Sequence, residues 1–229
     1  MTTTPASGTA LRGPGLTDVR GMVMAHDAFR WSFAPMAGLV RAVAHGDTCR
    51  AGVVGEHVAT VLGVLEGHHT SEDEHLWPRL LQRVPDELAP VVHLMESHHE
   101  GIHERMEEVL GLLPQWRARA DAADGRALAD AVQAMVALLD EHLAAEETHL
   151  LPIAARNVTQ GEWDEMTEQS LKKIPLRFVP VAFGVMRKVA DPEVVAADLA
   201  KAPAPIRLWL RLAADRAARR YAARLGVPL

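Results

Sequence analysis

His68-His69-Thr70-Ser71-Glu72-Asp73-Glu74-His75-Leu76-Trp77-Pro78 has a near copy later in the chain, His142-Leu143-Ala144-Ala145-Glu146-Glu147-Thr148-His149-Leu150-Leu151-Pro152. Both follow the pattern H-x-x-x-E-[D/E]-x-H-L-[W/L]-P, and 74 residues separate them. One such segment could arise by chance among 12 histidines; a matched pair is a specific signal. Helical spacing gives the pattern its meaning. Residues i and i+4 stack on one helix face, their Cβ atoms about 5–6 Å apart. His68/Glu72 and His142/Glu146 therefore each set an imidazole beside a carboxylate, and such pairs can converge on a metal ion inside a helical bundle.

Further donors lie on either side. His99 and His103 again stand at i,i+4, and His26 is the one histidine near the middle of the first predicted helix. Apolar residues follow His26 at +3, +7 and +10 (Phe29, Phe33, Met36) and His99 at the same offsets (Ile102, Met106, Val109). Each of these histidines is thus expected on the buried stripe of its helix. The candidate ligands are His26, His68, His99, His103 and His142 with Glu72 and Glu146. A buried ionised carboxylate is costly unless paired or coordinated, so such a set calls for cations. Nitrogen and carboxylate donors without thiolate suit iron or manganese, and zinc less well. Two ions about 3.5–4 Å apart, bridged by the glutamates, are the compact solution.

Neighbouring residues compete for these roles. His69 adjoins His68, His98 adjoins His99, and Glu147 and Asp73 follow the two glutamates. His75 and His149 each stand three residues after a glutamate, the E-x-x-H spacing of ferritin-like di-iron proteins. That architecture also needs a lone glutamate from each of the other two helices. The first predicted helix has only Asp18 and Asp27 as acids, so His75 and His149 read as supporting or near-surface groups. Asp27 and Arg30 are further candidates to buttress the site.

Composition argues for an all-α chain: one Tyr and four Phe stand against abundant Ala, Leu, Met and Arg. Four long helices are expected, from Thr17 to His45, Asp47 to Arg83, Asp86 to Ala120 with a bend at Pro114, and Asp124 to Arg156. Connections this short make neighbours antiparallel, which is an up-down-up-down four-helix bundle. No histidine occurs in the last 80 residues, which suggests a domain over 17–157 and a C-terminal helical extension over 158–229. Thr159 and Glu162 have capping-box spacing, so a helix should begin there. Residues 1–16 read as a disordered tail without an apolar leader, and no run is long and apolar enough to span a membrane. With Cys49 as the lone cysteine, a cytoplasmic location is the simplest expectation.

Net charge is −6, yet from Lys201 onward seven Lys/Arg face one acid, which leaves the first 200 residues at −12. An acidic body argues against nucleic acid as a partner. The basic final helix (Pro205 to Leu225) suits an anionic surface or a protein partner, although packing on the bundle with a solvated basic face is the more economical reading.

Through His26-Asp27, the HHxxED and LWP of residues 68–78, the HxxxH of 99–103 and the HxxxEE and LLP of 142–152, the chain resembles the hemerythrin family in its HHE cation-binding form. The resemblance implies a centre of two iron ions, oxo- or hydroxo-bridged and carboxylate-bridged, with an open position that meets O2, NO or peroxide. Relatives of this kind include O2 carriers, sensors, iron-responsive domains and proteins that break down peroxide. The resemblance also keeps Glu147 and His69 open as ligands, because family members differ at both positions.

Overall fold

The computed structural model describes residues 11–86 and 88–229, so residues 1–10 of the expected tail lie outside the described residues. Residues 11–16 are held: Leu11 and Leu16 pack beside Trp77 and Leu151, and the Leu11 carbonyl accepts from the Val19 N–H at 3.1 Å.

The chain forms an all-α, up-down-up-down bundle followed by further helices, with prolines deciding where the long segments break. The first segment is α1 (Arg20–Phe33) and α2 (Met36–Arg41) instead of one helix. Pro35 has no N–H to donate to the Trp31 carbonyl, and its ring crowds that turn. The second is α3 (Thr48–His75) and α4 (Trp77–Arg83), interrupted at Leu76, where Pro78 removes the donor for Glu74. Asp47 caps α3, accepting from the Arg50 N–H at 2.9 Å. α5 (Ala89–Arg119) runs on through Pro114. The fourth segment starts two residues earlier than expected, as α6 (Ala122–Ala145), because Asp121 accepts from the N–H groups of Ala123 and Asp124. A π-helical turn (Glu146–Leu150) then leads into α7 (Leu151–Asn157). Pro152 again withholds a donor, and the Leu151 N–H reaches five residues back to the Glu146 carbonyl.

α8 (Gln160–Lys172) begins at the expected capping box: Thr159 Oγ1 accepts from the Glu162 N–H, and the Glu162 carboxylate accepts from the Thr159 N–H. α9 (Val179–Val189), α10 (Pro192–Lys201) and α11 (Ala204–Leu225) complete the chain. These helices share cores with the bundle. Trp163 and Met166 of α8 pack with Trp77, Leu80 and Leu151, while Phe183 of α9 and Leu210 of α11 pack against Met24 of α1. α11 buries its small face, Ala214, Ala218 and Ala222, and leaves Leu208, Trp209 and Leu212 exposed.

Two apolar clusters fill the bundle. One gathers Phe29, Phe33, Leu62, Leu65, Ile102, Met106, Met135 and Leu139. The other gathers Met22, Leu76, Trp77, Met95, Leu150 and Leu151. In each of the four bundle segments the switch between clusters falls at a polar, buried residue: His26, the His68–Glu72 turn, His99, and His142 with Glu146. The site is this polar layer.

Candidate metal centre

Among the described residues, His26, His142 and Glu146 are wholly buried, and His68, His69, Glu72 and His99 are within a few per cent of it. Each helix of the bundle supplies at least one of them. The glutamates stand in the middle. Glu72 has Oε1 3.2 Å from His68 Nε2 and Oε2 3.4 Å from His99 Nε2. Glu146 has Oε2 3.3 Å from His26 Nε2 and 3.8 Å from His142 Nε2. Each carboxylate thus joins two groups of imidazoles. His26 and His68 form one group, ring centres 5.5 Å apart. His69, His99 and His142 form the other, each offering a ring nitrogen within 4.8 Å of the others. Within it, His69 stacks on His99 with ring centres 4.0 Å apart.

Buried polar atoms are ordinarily hydrogen-bonded, and here they are not. Nε2 of His26, His68 and His69 and both carboxylate oxygens of Glu72 and Glu146 have no hydrogen-bond partner. Seven orphaned atoms in one layer, all donors of electron pairs, fit a bound cation or pair of cations. Thiolate is missing from the set, which matches harder metals than Cys sites do.

Electrostatics within the layer is strained accordingly. Burial, helped by neighbouring imidazoles, drives His68 and His142 down to about 3, and it drives His69 well below its ordinary value. Burial and the Glu146 charge push Glu72 well above the carboxylate range. Burial acts in the same sense on Glu146, but the close approach of His26 Nε2 and the nearby imidazoles outweigh it and hold Glu146 low. His26 is raised: burial opposes this, and the contacts with Glu146 and Glu147 prevail. The imidazoles of His68, His69 and His142, kept neutral in this way, present lone pairs, the form in which they coordinate metals.

Two carboxylates brace the layer from behind. Glu147 Oε1 accepts from His26 Nδ1 at 2.8 Å and from Arg30 at 2.8 Å. Arg30 also reaches Asp27 at 3.4 Å. Asp73 Oδ1 accepts from His99 Nδ1 at 2.7 Å and from the Trp77 indole at 2.8 Å. Such contacts fix the tautomer and ring orientation that leave Nε2 aimed inward. The π-helical turn carries both Glu146 and Glu147, and its wider winding lets the first face the layer while the second faces His26 from outside.

The other expected donors lie elsewhere. His103 is not brought to the layer; it is 54% exposed, with Nδ1 3.4 Å from Glu66 and Nε2 3.5 Å from Glu107. His69, which sequence left as an alternative, is brought in. His98 is half-buried with its ring 5.8 Å from that of His142. His75 lies beside Glu74, and His149 is exposed. The sequence, offering His57 no motif partner, places it on a polar face; it is instead buried outside the layer, where its Nδ1 accepts from Tyr221 and its Nε2 donates to the Ser32 carbonyl. A buried histidine with a distant aromatic partner leaves no short-range sequence signal.

A family model described as the hemerythrin HHE cation binding domain matches residues 17–154, well over half of the chain. Neither the curated proteins nor the solved structures yield a match.

Proposed function

The chain belongs to the hemerythrin HHE cation-binding family, and from that premise we propose that it holds two iron ions and binds O2, or a related diatomic such as NO, reversibly for storage or sensing. His26 and His68 would hold one ion and His69, His99 and His142 the other, with Glu72 and Glu146 shared between the two groups. Manganese would be held by the same donors. Bound there, the iron pair would supply redox-active Lewis-acid centres.

One observation carries this reading: the donors divide two against three around two shared carboxylates. The His26/His68 side offers fewer protein donors than the other, which leaves room there for a small molecule. Phe29 packs against His68 on that side, ring centres 5.1 Å apart, and the apolar cluster of Phe33 and Leu65 lies beyond it. A dry wall excludes the water and protons that would turn bound O2 over. Glu147 is the nearest further carboxyl to His26, and it is engaged by His26 and Arg30, so it holds a proton on Nδ1 and is not free to deliver one. These features favour reversible binding over the alternative, decomposition of hydrogen peroxide. The alternative places the same centre in an enzyme.

Reconstitution with ferrous iron under anaerobic conditions, followed by cycles of O2 and its removal, tests the reading. A visible band that forms with O2 and disappears on deoxygenation through repeated cycles is expected. Irreversible bleaching with O2, together with rapid gas release from added peroxide, would replace the carrier or sensor with the enzyme.

A further inference from the structure

A groove of about 480 Å³ opens on the surface between α3 and α5. Four carboxylates, Glu66, Asp73, Glu96 and Glu100, line it with His103, and no lysine or arginine is among its lining residues. At its inner end stand His69 and His99. His69 is 5% exposed, and its Nε2 has no hydrogen-bond partner. A line of negative charge therefore leads from solvent to an unpartnered imidazole of the buried layer.

The other polar approach carries less net negative charge. Around His26 the outermost groups are Glu147, Asp27 and Arg30, and the Arg30 guanidinium sits between the two acids. A cation arriving there meets a fixed positive charge. Elsewhere the layer is roofed by the two apolar clusters.

We propose that the α3–α5 groove is the port through which divalent cations reach the centre, and that its mouth, Glu66 and Glu100 with His103, is a transient capture site for the hydrated ion. The proposal rests on the metal-centre reading above. Clefts lined by one sign of charge focus the field and raise local counter-ion concentration and on-rate by about 10–10³-fold. Carboxylates take a hydrated ion readily, and an imidazole beside them favours a transition metal over magnesium or calcium. His103 stands with Nδ1 3.4 Å from Glu66 and half of its side chain in water. That is the placement of a hand-over ligand: able to take an inner coordination position, too open to retain the ion. His69 Nε2 is the next unpartnered donor inward. His103, which sequence spacing paired with His99, thus belongs to the route to the centre and not to the centre.

Loading of the full-length metal-free chain with cobalt(II), followed by stopped-flow absorbance, tests this. Wild type should fill rapidly, with a rate that falls steeply as ionic strength rises. The pair Glu66→Gln/Glu100→Gln should load at least about tenfold more slowly, with a flatter salt dependence and the same final cobalt per chain. His103→Ala should also slow loading without changing that final content. Glu141→Gln/Glu168→Gln, which removes the same charge from other helices, should load like wild type. Equal rates and salt dependence in wild type and the groove variants would overturn the port. So would equal slowing in the control pair, which would assign the effect to net charge. Failure of wild type to take up any cobalt would overturn the centre itself and the port with it.

Discussion

Glu147 and Asp73 each accept a hydrogen bond from the Nδ1 of an imidazole whose Nε2 faces the buried layer. Supports of this kind are typically worth about 10–100-fold in metal affinity. Glu147→Gln should therefore weaken cobalt(II) binding by roughly that factor in competition with a chelator. Unchanged affinity would reduce Glu147 to an ion-pair partner of Arg30. A second prediction concerns His57, away from the layer. Burial holds it down to about 4, against the opposing pull of the Ser32 carbonyl. Its unfolded value is near 6.5, so its contribution is fully present above that pH and is lost as pH falls toward 4. The loss amounts to about 2 kcal/mol at pH 5 and about 3 kcal/mol near pH 4. Urea midpoints should drop more between pH 7 and pH 5 in wild type than in His57→Gln; parallel drops would contradict the assignment. Residue-scale legibility was uneven for a geometric reason. His26, His68, Glu72, His99, His142 and Glu146 all sit on apolar stripes that periodicity reveals. His103 shares the i,i+4 spacing with His99 but lies roughly 40° further round the helix, past the edge of the stripe of Met95, Ile102 and Met106. His69 turns inward because the layer spans both groups of imidazoles, which only the three-dimensional packing makes visible.

At the scale of elements, the long amphipathic helices were legible and their interruptions were not. Periodicity runs unbroken through Pro35, Pro78 and Pro152, while the backbone answers each missing donor with a break or, at Glu146–Leu150, a π-helical turn. After Ile174 the prolines hide where the helices of the extension begin. Pro180 and Pro192 occupy the opening turns of α9 and α10, where proline is well tolerated, and Asp191 caps α10 by accepting from the Glu193 N–H. α9 lies so close to α11 that a Cβ on Gly184 would fall 2.3 Å from the Ala214 carbonyl oxygen and 2.7 Å from the Ala218 Cβ. The obstacle is helix backbone and cannot swing aside. Gly184→Ala should destabilise the protein by about 1–3 kcal/mol, the usual range for overpacking, seen as a lower urea midpoint with an unchanged slope. A midpoint equal to wild type would mean that α9 and α11 separate freely.

Across the whole molecule, the helices after residue 158 act as a second coat on the bundle. α8 closes the end occupied by Trp77 and Leu151, and α9 and α11 cover the outer face of α1. Charge assists at the seam: Arg224 pairs with Glu56 at 3.0 Å, and Arg50 donates to the carbonyls of Arg224 and Leu225 at the C-terminal end of α11. No helix among the described residues is long and apolar enough to cross a membrane. What this scaffold holds rigid is a layer of imidazoles and carboxylates in which Nε2 of His26, His68 and His69 and the oxygens of Glu72 and Glu146 have no hydrogen-bond partner, and the account stands on cations filling it. Metal analysis after anaerobic reconstitution with ferrous iron tests that directly, with His68→Ala/His142→Ala measured alongside. About two irons per chain in wild type, and a marked loss in the double variant, are the predicted result. One iron or fewer in wild type, at the same level as the variant, would contradict it.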